Sequence, residues 1–205
     1  CSLSVNALLA ADFDAVLNDF PNLTSATPGV YPDFEHKIVL SSDAKPSTSK
    51  VRHIPFSQRQ ATEEEMQSMI NDGIWEPIER SVWSHGMVEV PKTTPVQCTN
   101  AVRNKTDQRN LHKYVDPYSY PTPQADEIFM KFRGARFFTK IDLQRSYFQI
   151  NLAPESRPLT TTNTPAGLMQ YNRMPMGLKD SSAVFQYCIM KTLEGLPGVT
   201  CYIDD

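Results

Sequence analysis

Three aspartates stand where an apolar chain tolerates them least. Asp142 follows "FFTKI", and Asp204 and Asp205 follow "CYI". An ionised carboxylate ending an apolar strand must be paired or must bind a cation, because bare desolvation costs several kcal/mol. No Lys or Arg stands at helix-pair spacing from the terminal pair. Regular strand residues alternate faces, so adjacent acids converge only where the strand turns. A tight hairpin centred on Asp204 and Asp205 would bring both toward a neighbouring strand, and if that strand ends at Asp142, three acids meet. Oxygen-only ligands suit Mg²⁺ or Mn²⁺ rather than zinc, and two such ions about 3.5–4 Å apart form the clamp of in-line phosphoryl transfer. An acid in a strand is more often an edge residue or a turn former, and "DD" alone favours that plainer reading.

The rest of the chain reads as mixed helices and strands. Leu9, Phe13, Val16, Leu17 and Phe20 predict an amphipathic helix over 4–20, stopped by Pro21. Residues 21–56, rich in Pro, Ser and Thr, predict an extended arm with one strand-like break at "HKIVL". Thr62 and Glu65 form a candidate capping box, with Met66, Met69 and Ile70 on one face and Gly73 as the stop. "IWEPIE" and "GMVEVPK" predict strands, whereas 95–113 is polar with little alternation. Thr122 as N-cap, Pro123 at the first helical position, Asp126 and Glu127 early, and Lys131 and Arg133 late predict a helix before Gly134. "ARFFTKIDL" predicts a strand, "QRSYFQI" a turn, "LTTTNT" and "LMQYNRM" a strand pair, 180–193 a helix and 199–203 a last strand. Without regular βα alternation, the expected class is α+β.

Composition narrows the function. With 205 residues, 40% of them apolar, the chain can bury a core and is not disordered. A net charge of −3 leaves no general basic footprint, so nucleic-acid binding must rest on a local patch. No apolar run is long enough for a membrane span, and the N-terminus lacks the basic start of a secretory signal. The four cysteines show no CxxC pairing and no zinc spacing. An intracellular protein with reduced thiols is expected. The missing initiator Met suggests a fragment.

"FTKIDLQRSYFQI", "MPMGLKDSSAVFQ" and "CYIDD", in that order, resemble the central motifs of a reverse transcriptase of the Gypsy-type LTR retrotransposons. "EEEMQSMINDGIWEPIERSVWSHGMVEVPK" and "YSYPTPQADEIFMKFRGARFFTKIDL" are similar to that family's fingers and its run into the palm, so the resemblance covers most of 32–205. It implies a right-hand polymerase fold: an N-terminal arm over 1–56, then fingers and a partial palm over 57–205. It implies Asp142, Asp204 and Asp205 as catalytic ligands of two Mg²⁺ or Mn²⁺ ions, with the Leu143 carbonyl as a further ligand. It implies Tyr147 beside the incoming sugar, excluding a 2′-hydroxyl, although a core aromatic beside Phe148 is the alternative. Met176 and Gly177 would touch nucleotide or template. Lys179 would reach template phosphate or stay solvated ahead of the next helix, and Tyr202 would pack near the primer end or serve as a strand aromatic. Implied partners are template RNA or DNA, primer, deoxynucleoside triphosphates and the remaining Pol domains.

Some residues depart from the pattern. "VRNKTDQR" keeps Arg103, Asp107 and Arg109 at the family's spacing, but the strand between is polar. Arg103 would grip the triphosphate with fork-like bonds, a grip lost if that strand does not form. His112 replaces a more usual Asn, and Ser182 a more usual Pro. No return strand, thumb or RNase H follows Asp205, so weak or no polymerase activity is expected of this polypeptide alone. The competing function is a non-catalytic retrotransposon remnant that binds protein or nucleic acid. A nuclease or integrase is disfavoured, since those folds do not place acids on a Tyr-x-Asp-Asp hairpin preceded by "PMGLK".

Overall fold

Between Trp75 and Tyr171 the chain builds a mixed sheet that buries both apolar and polar side chains. The computed structural model describes residues 15, 17–25, 27–91 and 102–203. Its strands are β1 (Glu35–His36), β2 (Trp75–Ile78), β3 (His85–Pro91), β4 (Val102–Asp107), β5 (Asn151–Leu152), β6 (Thr162–Thr164) and β7 (Gly167–Tyr171). The helices are α1 (Arg59–Asn71), α2 (Arg109–His112), α3 (Ala125–Lys131) and α4 (Ser181–Thr192). One sheet has the order β2-β7-β6-β3-β4, with β3 and β6 parallel and the other neighbours antiparallel. A second, two-stranded parallel sheet joins β1 to β5.

Trp75 and Tyr171 are register partners on β2 and β7, their rings edge to face at 5.4 Å, and Phe148 stacks on Tyr171 at 6.2 Å. Met69, Ile74, Met87, Leu111, Ile150 and Leu152 are buried around them. On α1 the buried positions Thr62, Met66 and Met69 recur at helical spacing. Gly73, at φ 66°, closes the helix: Ile74 N–H donates to Met69 O at 2.9 Å and Gly73 N–H to Ile70 O at 3.0 Å. Two helix starts differ from expectation. α1 begins at Arg59, because Thr62 faces the sheet and its carbonyl accepts from Asn104 Nδ2 at 3.3 Å. α3 begins at Ala125, because Gln124 and Glu127 form the capping box, Gln124 N–H donating to Glu127 Oε2 at 3.1 Å.

The polar stretch after Ala101 does form a strand. Val102, Asn104 and Thr106 of β4 point inward, and Arg103, Lys105 and Asp107 outward. Burial of Thr106 is matched by partners: its Oγ1 lies 2.8 Å from Thr162 Oγ1 and 3.0 Å from Tyr171 Oη. Two other expected strands do not form. Residues 135–143 run as exposed coil with Phe137 85% and Ile141 64% accessible, and 199–203 is coil and turn. Neither has a neighbouring strand among the described residues, and without a ladder β propensity alone does not fix a strand. The helix expected over 4–20 falls largely outside the described residues, although 17–19 are helical.

The arm lies on this framework and supplies Ile38 and Ile54 to the core. Tyr31 N–H donates to Gln149 O at 2.7 Å, Ser41 N–H to Tyr114 O at 2.8 Å and Ile38 N–H to Ser156 Oγ at 2.9 Å. Arg52 crosses Gly86, where a Cβ would meet its Nε at 3.1 Å, and its guanidinium reaches Asp107 Oδ2 at 2.5 Å. Cys188 and Cys201 are free and buried; burial pushes the Cys188 thiol up to about 11 and raises Cys201 as well. Both are neutral packing residues. Cys1 and Cys98 lie outside the described residues. No helix of the described residues is long and apolar enough to cross a membrane.

Replacing Thr106 by Val keeps its shape but leaves the Thr162 and Tyr171 hydroxyls short of a partner. Urea unfolding should show a loss of about 1–3 kcal/mol; an unchanged midpoint would remove the network from the account. Asp107 gives a second expectation. The Arg109 fork, then Arg52, hold its carboxyl well below the usual carboxylate range. A depressed folded value stabilises fully above the unfolded value of about 4 and is lost as pH falls toward the folded one. Arg109 is 81% exposed, so the contribution is screened and modest. The Tm difference between wild type and Asp107→Asn should therefore shrink from pH 7 to pH 3. A constant difference would contradict it.

Candidate functional site

Asp142 is exposed at the end of the 135–143 coil and takes no hydrogen bond or ion pair among the described residues. Leu143 then turns inward and packs on the core. Arg145 follows in the left-handed region, at φ 52° and ψ 35°. Its guanidinium forms an ion pair with Asp72 and lies 3.5 Å from Ser68 Oγ, joining this turn to the end of α1. The turn leads into the 3-10 segment Ser146–Gln149, which carries Tyr147. The Tyr147 ring meets Phe185 edge to face at 5.5 Å, and its hydroxyl lies 3.2 Å from Ser182 Oγ. Tyr147 therefore rests on the first turns of α4, half-buried against the core.

The "PMGLK" loop enters the same helix. Met174, Pro175 and Leu178 are buried, Met176 is half-buried, and Gly177 is exposed at φ 94°. Only glycine adopts that conformation freely, and the open space around it admits a close approach from outside. Lys179 donates from Nζ to Val115 O at 2.9 Å. That ammonium is held by a backbone carbonyl, an arrangement neither sequence reading anticipated. Asp180 is buried with His36 of the arm, Nε2 to Oδ2 at 3.2 Å. His112 approaches the Gly177 backbone, and burial lowers its pKa against that bond.

The segment 201–203 reaches α4 from the other side. Gln186 donates from Nε2 to Cys201 O at 3.3 Å, and its Oε1 accepts from Ile203 N–H at 2.6 Å. Tyr202 is 47% exposed. Asp204 and Asp205 lie outside the described residues. Among the described residues there is no group of three or more His, Cys, Asp or Glu placed to hold a metal. On β4, Arg103 is exposed and has no partner among the described residues, whereas Arg109 is forked onto Asp107 at 2.8 and 2.7 Å. The strand that presents Arg103 is formed, which answers the doubt its polar sequence raised.

The structure thus gathers Tyr147, Ser182 and the "PMGLK" loop at the start of α4, and 201–203 farther along that helix. Sequence reasoning missed Arg145, the His36–Asp180 pair and Gln186. For Gln186 a signal existed: it is the one amide within "AVFQYCIM", on a helix whose buried positions include Val184, Phe185 and Cys188. For Arg145 and His36 none did, since their partners are distant in the chain.

Comparison with known proteins shows the family and the fold. The chain is 31% identical over 170 residues to the retrovirus-related Pol polyprotein from transposon 297 of Drosophila melanogaster, a match covering 82% of this chain and 16% of that protein. It is 25% identical over 207 residues to the transposon Tf2-3 polyprotein of Schizosaccharomyces pombe, covering 98% of this chain and 15% of that one. The chain therefore spans only about a sixth of the length of these relatives. The crystal structure of the prototype foamy virus protease-reverse transcriptase superimposes with a TM-score of 0.84 at 20% identity, over 98% of this chain and 26% of that one. A related foamy viral enzyme, solved in complex with RNA/DNA hybrid, superimposes at 0.79 and 18% identity, over 98% of this chain and 27% of that one. The fold is the fingers-and-palm arrangement of these proteins. The model of the family described as Reverse transcriptase (RNA-dependent DNA polymerase) matches residues 90–205, and the chain belongs to that family.

Proposed function

We propose that this chain is the reverse transcriptase domain of a Gypsy-type LTR retrotransposon Pol polyprotein, with residues 57–205 as fingers and palm, adding deoxynucleotides to a primer on an RNA or DNA template. The observation that carries the reading is an exposed Asp142, without a partner among the described residues, followed five residues later by Tyr147 seated on α4 beside the "PMGLK" loop.

Asp142, Asp204 and Asp205, with the Leu143 carbonyl, are an all-oxygen donor set that fits Mg²⁺ or Mn²⁺. Two such ions, when bound, lower the pKa of the primer 3′-hydroxyl and neutralise the leaving pyrophosphate. The protein's own contribution is positioning. Arg103, exposed on the outer face of β4 and without a partner among the described residues, supplies a guanidinium fork for triphosphate oxygens. Tyr147, braced by Phe185 and Ser182, offers a flat wall against the sugar that leaves no room for a 2′-hydroxyl. Met176 and Gly177 border the base pair, Gly177 by close backbone approach. Tyr202 lies toward the primer end, and Lys179 approaches template only by leaving the Val115 carbonyl. The thumb, RNase H and integrase segments of such a polyprotein would be the chain's covalent partners.

Two binding experiments test this without requiring turnover. The purified chain should bind Mn²⁺, and Asp142→Asn should weaken that binding on the order of ten-fold or more. A wild-type chain that ignores Mn²⁺, or an Asn variant that binds it equally, would defeat the reading. With Mn²⁺ present the chain should prefer dTTP over UTP, and Tyr147→Val should reduce that preference by roughly ten-fold. An unchanged ratio would return Tyr147 to a packing role.

A further inference from the structure

Two histidines each keep a covered ring lone pair, and a buried carboxamide stands between them. His85 is 1% exposed and Gln108 2%, and His112 is half-buried with its Nε2 covered. His85 Nε2 lies 2.8 Å from Leu159 O. A carbonyl only accepts, so Nε2 carries the proton and Nδ1 is the lone pair. His112 has a hydrogen bond to the Gly177 backbone that raises its pKa, so the ring donates there. Its Nε2 is unbonded, which leaves Nδ1 as the donor and Nε2 as the lone pair. Neither lone pair, and neither end of the Gln108 carboxamide, has a hydrogen-bond partner among the described residues.

The backbone brings these side chains together. β3 and β4 pair as far as Gly86 and Asp107, and the next residues outward are His85 and Gln108. Neighbours across a ladder have Cβ atoms about 4.5–5.5 Å apart. Gln108 also precedes the first turn of α2, where His112 N–H donates to Gln108 O at 3.0 Å. Residues four apart share a helix face. Gln108 therefore has His85 beside it across the sheet and His112 along the helix. Of the four unpartnered atoms, three accept and only the amide nitrogen donates. One water offers two hydrogens to those three acceptors, whereas a cation takes all three lone pairs. Burial, the largest influence on both rings, lowers their pKa and keeps the lone pairs free of protons. Asp107 favours positive charge at both rings and Asp180 at His112, while Lys179 opposes it there.

We propose that His85 Nδ1, His112 Nε2 and Gln108 Oε1 form a site for a transition-metal ion of the zinc class, separate from the aspartates. Imidazole nitrogens suit Zn²⁺, whereas Mg²⁺ and Mn²⁺ seek oxygen. Each ring gives its N–H to a backbone carbonyl, the arrangement that orients a metal-binding imidazole. Water supplies the fourth ligand of a tetrahedral ion. The role of such an ion is structural: it joins β3 to α2 and binds only the folded chain. His112 replaces a more usual Asn, so the site belongs to this chain rather than to the family pattern.

The experiment is Zn²⁺ binding by the full chain at about pH 7, followed by calorimetry in excess Mg²⁺, with Tm as a second reading. Wild type should bind one ion and melt higher when it is present. Loss of a group that merely orients a ligand costs roughly 10–100-fold in affinity. His112→Asn, which removes a ligand, should therefore weaken binding on the order of a hundred-fold and abolish the rise in Tm. His85→Phe keeps a ring against Trp83, on which His85 stacks at 6.1 Å, and should show the same losses if the Asn variant does not fold. A wild-type chain that binds no Zn²⁺, or a folded variant that binds it equally, overturns the proposal and leaves the cluster to ordered water. Mn²⁺ binding at Asp142 is read separately, so either proposal can fail without the other.

Discussion

Phe185 and Gln186 are neighbours on α4, and they serve opposite ends of the candidate site. Phe185 takes the edge of Tyr147, while Gln186 takes the backbone of Cys201 and Ile203. One turn earlier, Asp180 receives His36 from the arm, and Ser182 meets the Tyr147 hydroxyl. Successive helix positions point about 100° apart, so a single short helix can address three surrounding segments at once. Displacing α4 would move the "PMGLK" loop, the Tyr147 turn and the approach to the terminal acids together. The five-stranded sheet supplies Trp75, Met87, Met169 and Tyr171 to the core, and this helix sets where the segments of the candidate site stand.

The fold was legible where local chemistry and burial coincide. The β6–β7 pair, α4, and the glycine that ends α1 all follow from pattern, because the residues that form each element also decide its packing. β4 was not legible. Its inward residues Asn104 and Thr106 look like loop residues until Thr62, Thr162 and Tyr171 are beside them. The opposite error occurred at 135–143, where Phe137, Phe138 and Ile141 have strong strand propensity and still lie exposed. Propensity reports how well a side chain suits a pleated, half-buried surface, and it is silent on whether a partner strand is there.

The candidate site was nameable from sequence in its motifs and hardly at all in its support. Asp142, Tyr147 and the "PMGLK" loop could be named from motif order. Arg145, His36 and Gln186 could not be given roles, since each acts through a partner that only the fold brings near. Arg145 and Asp72 are 73 residues apart in sequence, and Tyr147 and Ser182 are 35 apart. Contacts at such separations leave no periodic trace.

Backbone strain coincides with two of these supports. Among the described residues, Asp33, Arg145 and Ile203 are the non-glycine positions with positive φ. Two of the three flank expected metal ligands: Arg145 comes three residues after Asp142, and Ile203 immediately precedes Asp204. Each left-handed residue costs roughly 1–2 kcal/mol, and glycine in either place would remove the cost. Side chains at both positions are instead retained and the backbone is held by polar bonds to a helix, α1 through Arg145 itself and α4 through Gln186. Hydrogen bonds to fixed helices hold a turn in one geometry, whereas glycine would release it to several.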